Sequence, residues 1–232
     1  MGEKILLCWS GGKDSALALY ELRKSCDFEI TALLTTITAD YDRVSMHGIR
    51  RALLELQAES LGLPLEKVCI SKNASNEEYG AKMERILTRC RRQGVSAVAF
   101  GDVALQDVRE YREKNLARVE MRAIFPLWKR DTAELARTFI GLGFKAVTTC
   151  VDSNVLGKEF VGRVFDEKFL AELPSNVDPC GENGEFHSFV YDGPIFQRRI
   201  SHKLGEVVLR NERFYFCDLL ANQEPDCPPE GP

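Results

Sequence analysis

A lysine and an aspartate stand side by side in Ser10-Gly11-Gly12-Lys13-Asp14-Ser15, directly after the apolar run Ile5–Trp9. Two glycines let backbone N–H groups come close to an anion, two serines add hydroxyl donors, and Lys13 adds a positive charge. A helix starting here would aim its positive dipole end at the same point. Asp14 would repel a bare phosphate, so it calls for a metal or for fixed hydrogen bonds around it. The chemistry is capture of a phosphate chain. Two commoner nucleotide loops do not fit. The first glycine of a Walker frame would fall at Leu7, and Asp14 stands where its magnesium-binding Ser or Thr belongs. The Rossmann pattern of three spaced glycines is also absent here.

A second group of titratable side chains is Cys180-Gly181-Glu182-Asn183-Gly184-Glu185-Phe186-His187. Carboxylates flanking a glycine in a loop can bind magnesium, orient an amine or act as a base. The plainer reading is a polar hairpin turn at Asn183-Gly184. Between these groups lie Met46-His47 and Gly101-Asp102, the latter followed by Asp107-Val108-Arg109-Glu110-Tyr111-Arg112. His47 could equally cap a helix, and the charged run 107–118 reads by default as a solvated helix. His202 reads as a surface residue, and Trp128 and Phe139 as core.

The elements that must position these residues alternate. Ile5–Trp9, Ile30–Ile37, Val68–Ser71 and Val95–Phe100 read as strands. Ser15–Leu22, a stretch through Ile49, Leu53, Leu56 and Ser60, and Glu77–Gln93 capped by Asn76 read as helices. This order implies an α/β fold, a parallel sheet with helices on both faces, with ligands at the carboxyl ends of its strands. Residues 10–15, 35–47 and 101–102 all fall at such ends. Beyond a helix over 131–140 and a strand over 144–151, short strands follow at 186–191, 206–210 and 213–217. The expected division is a nucleotide domain over 1–124, a smaller α+β acceptor module over 125–221, and a proline-rich disordered tail over 222–232.

Composition narrows the partners. Net charge is −4 over 232 residues, which argues against a nucleic-acid partner. The apolar start is too short for a signal core or a membrane span, so the chain reads as cytoplasmic. Eight cysteines occur without a C-x-x-C pair, which removes the usual zinc and dithiol spacings. Composition leaves open a second copy of the chain as a partner.

The loop resembles the S-G-G-x-D-S signature of the PP-loop, or N-type ATP pyrophosphatase, superfamily. With Met46-His47-Gly48-Ile49-Arg50, Gly101-Asp102, Pro126-Leu127-Trp128 and the 180–187 segment, the chain is similar to the diphthine–ammonia ligase family from about residue 4 to about residue 200. That resemblance implies an adenine nucleotide alpha hydrolase-like fold and an ATP-dependent, amide-forming ligase. Such an enzyme adenylates a carboxylate or carbonyl acceptor, releases pyrophosphate, then releases AMP on attack by ammonium or an amine. It implies Ser10, Gly11, Gly12, Asp14 and Ser15 on pyrophosphate, assisted by Lys13. Thr35, Thr36, Met46 and His47 would lie by the adenine, and Gly101-Asp102 would close the site. Lys13, Asp14, Glu182, Glu185 and His187 are the catalytic candidates. Mg2+ follows from ATP chemistry, with no ligand set identified. Asn183 and His187 depart from the Glu-Gly-Gly-Glu-plus-acid pattern of the better-known ligases, so the acceptor does not carry over. RNA sulfur transfer, or nucleotide binding without catalysis, are the alternatives.

Overall fold

The computed structural model describes residues 2–45 and 47–222; Met46 and residues 223–232, and with them one expected adenine contact and nearly all of the expected disordered tail, lie outside the described residues. Strands β1 (Glu3–Cys8), β2 (Phe28–Thr38), β4 (Leu65–Ile70), β5 (Ala97–Ala99) and β6 (Arg122–Ile124) are parallel, in the spatial order β4-β2-β1-β5-β6. A two-residue strand β3 (Arg43–Val44) runs antiparallel along the last residues of β2. Chain order therefore reverses between β1 and β5, where a crevice opens outside the strand ends. The loop 10–15 and Gly101-Asp102 sit on the two sides of that crevice.

Helices cover both faces, as the alternation implied. α1 (Lys13–Ser25) and α2 (Arg51–Leu61) bury Ala16, Leu17, Leu19, Leu53, Leu54 and Ala58 on one face. α3 (Asn76–Arg92) and α4 (Gln106–Ala117) bury Leu87, Cys90 and Leu116 on the other. The cap of α3 is Ser75, whose side chain accepts from the Glu78 amide; Asn76, expected in that role, is already helical. Asp131 caps α5 (Thr132–Gly141) in the same way through Glu134. Phe139 is core, as expected, and Trp128 is half-buried with the Arg109 guanidinium 4.7 Å from its ring.

A second, antiparallel sheet has the order β8-β7-β10-β9, from β7 (Lys145–Asp152), β8 (Phe186–Asp192), β9 (His202–Arg210) and β10 (Phe214–Ala221). A short helix α6 (Glu167–Glu172), not evident in sequence, packs Phe169 against Phe165 and Phe186. The two sheets share one apolar core that runs from Ile5, Leu7 and Leu33 to Phe144, Phe186 and Phe189. His202, expected on the surface, is half-buried with its ring against Phe189 and Tyr191.

Gln57 of α2 is the polar pin of this shared core. Fully buried, it accepts from Trp9 Nε1 at 2.9 Å and donates to the carbonyls of Gly11 at 3.1 Å and Val190 at 2.6 Å. It thereby ties the first strand, the glycine loop and β8 together. Gln57→Leu keeps the size but leaves the Trp9 indole N–H and the Val190 carbonyl without this partner. Each such loss costs about 1–3 kcal/mol. Urea denaturation of the variant should show a loss of about 2–4 kcal/mol; an unchanged midpoint would mean that Gln57 holds nothing.

Candidate functional site

The loop begins where β1 ends. Gly11 adopts φ +82°, a left-handed conformation open to glycine, and turns the chain toward α1. Gly12 is extended and gives α1 no side-chain cap, so beyond the Lys13 amide the Asp14 and Ser15 amides are open to an anion. Ser10 and Ser15 face each other with Oγ atoms 3.4 Å apart, and Ser10 Oγ also accepts from the Gly12 amide at 3.3 Å. Gly101, at the end of β5, presses on the same turn. A Cβ there would lie 2.8 Å from the Asp14 carbonyl carbon and 2.9 Å from the Ser15 nitrogen, so only glycine fits.

β8 closes the loop from the second sheet. The Val190 amide donates to the Gly11 carbonyl at 2.9 Å, and the Lys13 amide donates to Ser188 Oγ at 3.2 Å. A Cβ on Gly12 would sit 3.1 Å from the Ser188 carbonyl. Glycine here therefore serves the packing of two sheets as well as the approach of an anion, a demand not visible in the sequence.

Lys13 links everything around it. Its side chain is 4% exposed; Nζ donates to both Asp14 carboxylate oxygens at 2.9 Å and to the Cys180 carbonyl. Burial works against its charge, but the Asp14 carboxylate, with Cys180 and Glu182 nearby, holds its pKa above the ordinary lysine value. This pairing gives Asp14 the fixed partner that its place in the glycine loop called for.

The 178–187 segment divides its carboxylates. Glu182 Oε1 accepts from the Val103 and Ala104 amides at 3.1 and 2.9 Å, bracing the turn after Gly101-Asp102. Burial, followed by Asp14 among the charges, raises its pKa despite those amides. Glu185 is 6% exposed and is enclosed by its own loop, accepting from Asp178 N, Asn183 N and Asn183 Nδ2 at 2.9–3.0 Å. A carboxylate so engaged does not face an acceptor, which departs from the role expected of it. Cys180 is buried, and burial pushes its thiol up to about 12.

Asp102 follows Gly101 on the same side of the crevice. It pairs with Arg112 of α4 at 2.6 Å, and that guanidinium lies 4.2 Å from the centre of the Phe100 ring. Beside them a cavity of about 500 Å3 opens at the crevice, walled by Cys8, Leu34, Tyr79, Phe100, Tyr111 and Arg112. A larger open hollow, about 880 Å3, runs along α3 and the edge strand β4; residues 10–15 line neither of the two.

Thr35 and His47 face the other way, toward the second sheet. The rings of His47 and His187 lie 4.3 Å apart, a meeting of the β3 hairpin with β8. Burial and then Lys13 bring the His187 pKa down to about 4; burial, His187 and Lys13 hold His47 well below the usual histidine range. The loop carrying His47 is held by β10. Asp218 pairs with Arg43 at 2.8 Å and Arg50 at 2.6 Å, and Arg43 donates to the Gly48 carbonyl at 2.7 Å. These two arginines outweigh burial and bring the Asp218 carboxyl down to about 2.

Gln57, Ser188 and Asp218 were not singled out from sequence. Each acts through a partner far along the chain and carries no local motif. Among the described residues no group of three or more His, Cys, Asp or Glu side chains could hold a metal ion, and no helix is long and apolar enough to cross a membrane.

The diphthine–ammonia ligase of Danio rerio is 28% identical over 88% of this chain and 88% of its own length. That of Homo sapiens is 26% identical over 87% of this chain and 84% of its own. The Schizosaccharomyces pombe protein of the same name is 26% identical over 88% of this chain, which spans 38% of that longer protein. Among solved structures, the U34-tRNA thiolase NcsA from Methanococcus maripaludis with its [4Fe-4S] cluster aligns with a TM-score of 0.39 and 20% identity, over 61% of this chain and 57% of that one; so loose a likeness has no bearing on function. Family models for the diphthamide synthase N-terminal and C-terminal domains match residues 3–123 and 131–219. The chain belongs to the diphthamide synthase family.

Proposed function

We propose that the protein is an ATP-dependent, amide-forming ligase that cleaves ATP between its α- and β-phosphates. The observation that carries this reading is the uncapped start of α1 behind Gly11-Gly12, flanked by Ser10, Ser15 and the buried Lys13. Backbone amides and a fixed cation there would take the pyrophosphate end without rearrangement, as electrostatic stabilisation requires. The cavity of about 500 Å3 at the crevice is the right size for the adenosine half, with Phe100, Tyr79 and Tyr111 as ring platforms. ATP therefore fits the residues present. Magnesium fits as an ion carried by the phosphates, with Asp14 and Glu182 as the nearest carboxylates, since such ions keep most ligands from substrate and water.

In this reading residues 1–124 hold the nucleotide and 125–221 hold the acceptor, which would be adenylated and then attacked by ammonia or an amine. The protein's share is positioning and neutralisation of charge. Sulfur transfer is disfavoured: Cys180, whose carbonyl meets Lys13, is 3% exposed, and burial pushes its thiol up to about 12 and raises that of Cys8 at the end of β1 as well, which works against a thiolate.

Phosphorus NMR of ATP turnover with a panel of small carboxylates and ammonium tests the reaction. AMP and pyrophosphate are expected; ADP and phosphate would reject the reading. Gly101→Ala should weaken binding of α,β-methylene-ATP at least tenfold, on the order of 1.4 kcal/mol, because the new methyl displaces the Asp14–Ser15 peptide. Calorimetry showing unchanged affinity would place the nucleotide elsewhere. Glu185→Gln puts an amide NH2 where Oε2 accepts from Asn183 N, so it should lower stability by about 1–3 kcal/mol and speed proteolysis within 178–185. Full stability with lost turnover alone would return Glu185 to the acceptor.

A further inference from the structure

The parallel sheet ends in an uncovered strand. β4 pairs with β2 and with no other strand among the described residues. The Leu33 amide donates to the Pro64 carbonyl and the Ala39 amide to the Ile70 carbonyl, so by alternation Glu66 and Val68 also turn their backbone groups toward β2. Those of Leu65, Lys67 and Cys69 point out of the sheet and meet no partner among the described residues. An edge of free N–H and C=O groups is a template for a further strand.

Beside that edge lies the hollow of about 880 Å3, whose other wall is α3. Lys82, Arg85, Arg89 and Arg92 line it; they recur every three or four residues, hence on one face of the helix, and all four are exposed. Glu84 is the one carboxylate in that wall. Two of the cations are engaged, Lys82 with Glu78 at 2.7 Å and Arg89 with Glu66. Arg85 and Arg92 form no ion pair among the described residues. This basic row stands in a chain whose net charge is −4. It is about 15 Å long at 1.5 Å per residue. An added strand places alternate side chains about 7 Å apart on the side facing α3, so two or three of them meet the row. Carboxylates there complement it.

We propose that the β4 edge and the basic row of α3 bind an acidic segment of a partner protein as an added strand, with alternate Asp or Glu side chains against Arg85 and Arg92. Main-chain pairing at Leu65, Lys67 and Cys69 supplies affinity, and the cations select the sequence. A second copy of the chain does not fit, because antiparallel pairing of two β4 edges sets one basic row against the other. A nucleic acid would meet the cations but leave the free amides of the edge unused. Residues 10–15 do not line the hollow, so the surface stands apart from the nucleotide reading.

The test uses the full 15N-labelled chain and an acetylated octapeptide of alternating glutamate and threonine. Slowed amide exchange at Leu65, Lys67 and Cys69, saturating with peptide, is expected. Arg85→Glu combined with Arg92→Glu, the fold checked by the amide spectrum, should weaken the peptide at least tenfold. An octapeptide of alternating lysine and threonine should give no protection. Unprotected edge amides at millimolar acidic peptide overturn the proposal. So does equal protection by the lysine peptide, or an affinity that the double reversal leaves unchanged. Oligouridylate that binds the row where the acidic peptide does not would make this a nucleic-acid surface, which overturns it as well.

Discussion

Two backbone donors carry the architecture of the site: the Val190 amide on the Gly11 carbonyl and the Lys13 amide on Ser188 Oγ. They fasten the glycine loop of a parallel sheet to a strand of an antiparallel one. A loop that binds anions through its own backbone needs that backbone fixed before the ligand arrives, because reorganisation during reaction would forfeit the stabilisation. Gln57 completes the fixation from α2, and Gly12 and Gly101 are small because β8 and the Asp14–Ser15 peptide lie where side chains would go. The two modules are thus joined at the site, and each completes the other.

Charge follows the same plan. Lys13 is buried, paired with Asp14 and bonded to the Cys180 carbonyl, so the phosphate loop and the 178–187 segment share one cation. Burial first, and the field of Lys13 with it, lowers the pKa of His187 and His47, while Glu182, raised by burial, braces the turn after Gly101. An incoming polyphosphate would therefore meet a cation already desolvated, at which its attraction is stronger than in water.

Local features were legible in the sequence where a few neighbouring residues decide them. An apolar run ending in Ser10-Gly11-Gly12 with no helix breaker behind it reads as a strand, a turn and a helix, and so the parallel sheet with its site at the strand ends followed, but not the order of its strands. The 180–187 segment was legible as a polar loop, but not the division of labour between Glu182 and Glu185. That division depends on which amides each carboxylate meets, at 103–104 for one and inside the loop for the other. β3 and α6 were missed because two and six residues carry too little periodicity to register. The His47–His187 contact joins a hairpin of one sheet to a strand of the other, and no spacing rule reaches that far.

The claim that loop and second sheet form one binding unit can be read residue by residue from amide hydrogen exchange, with and without α,β-methylene-ATP. The account predicts slowed exchange at residues 11–16 and, together with it, at residues 186–190, which contribute no motif to nucleotide binding but hold the loop in place. Protection confined to 11–16, with 186–190 unchanged, would contradict it.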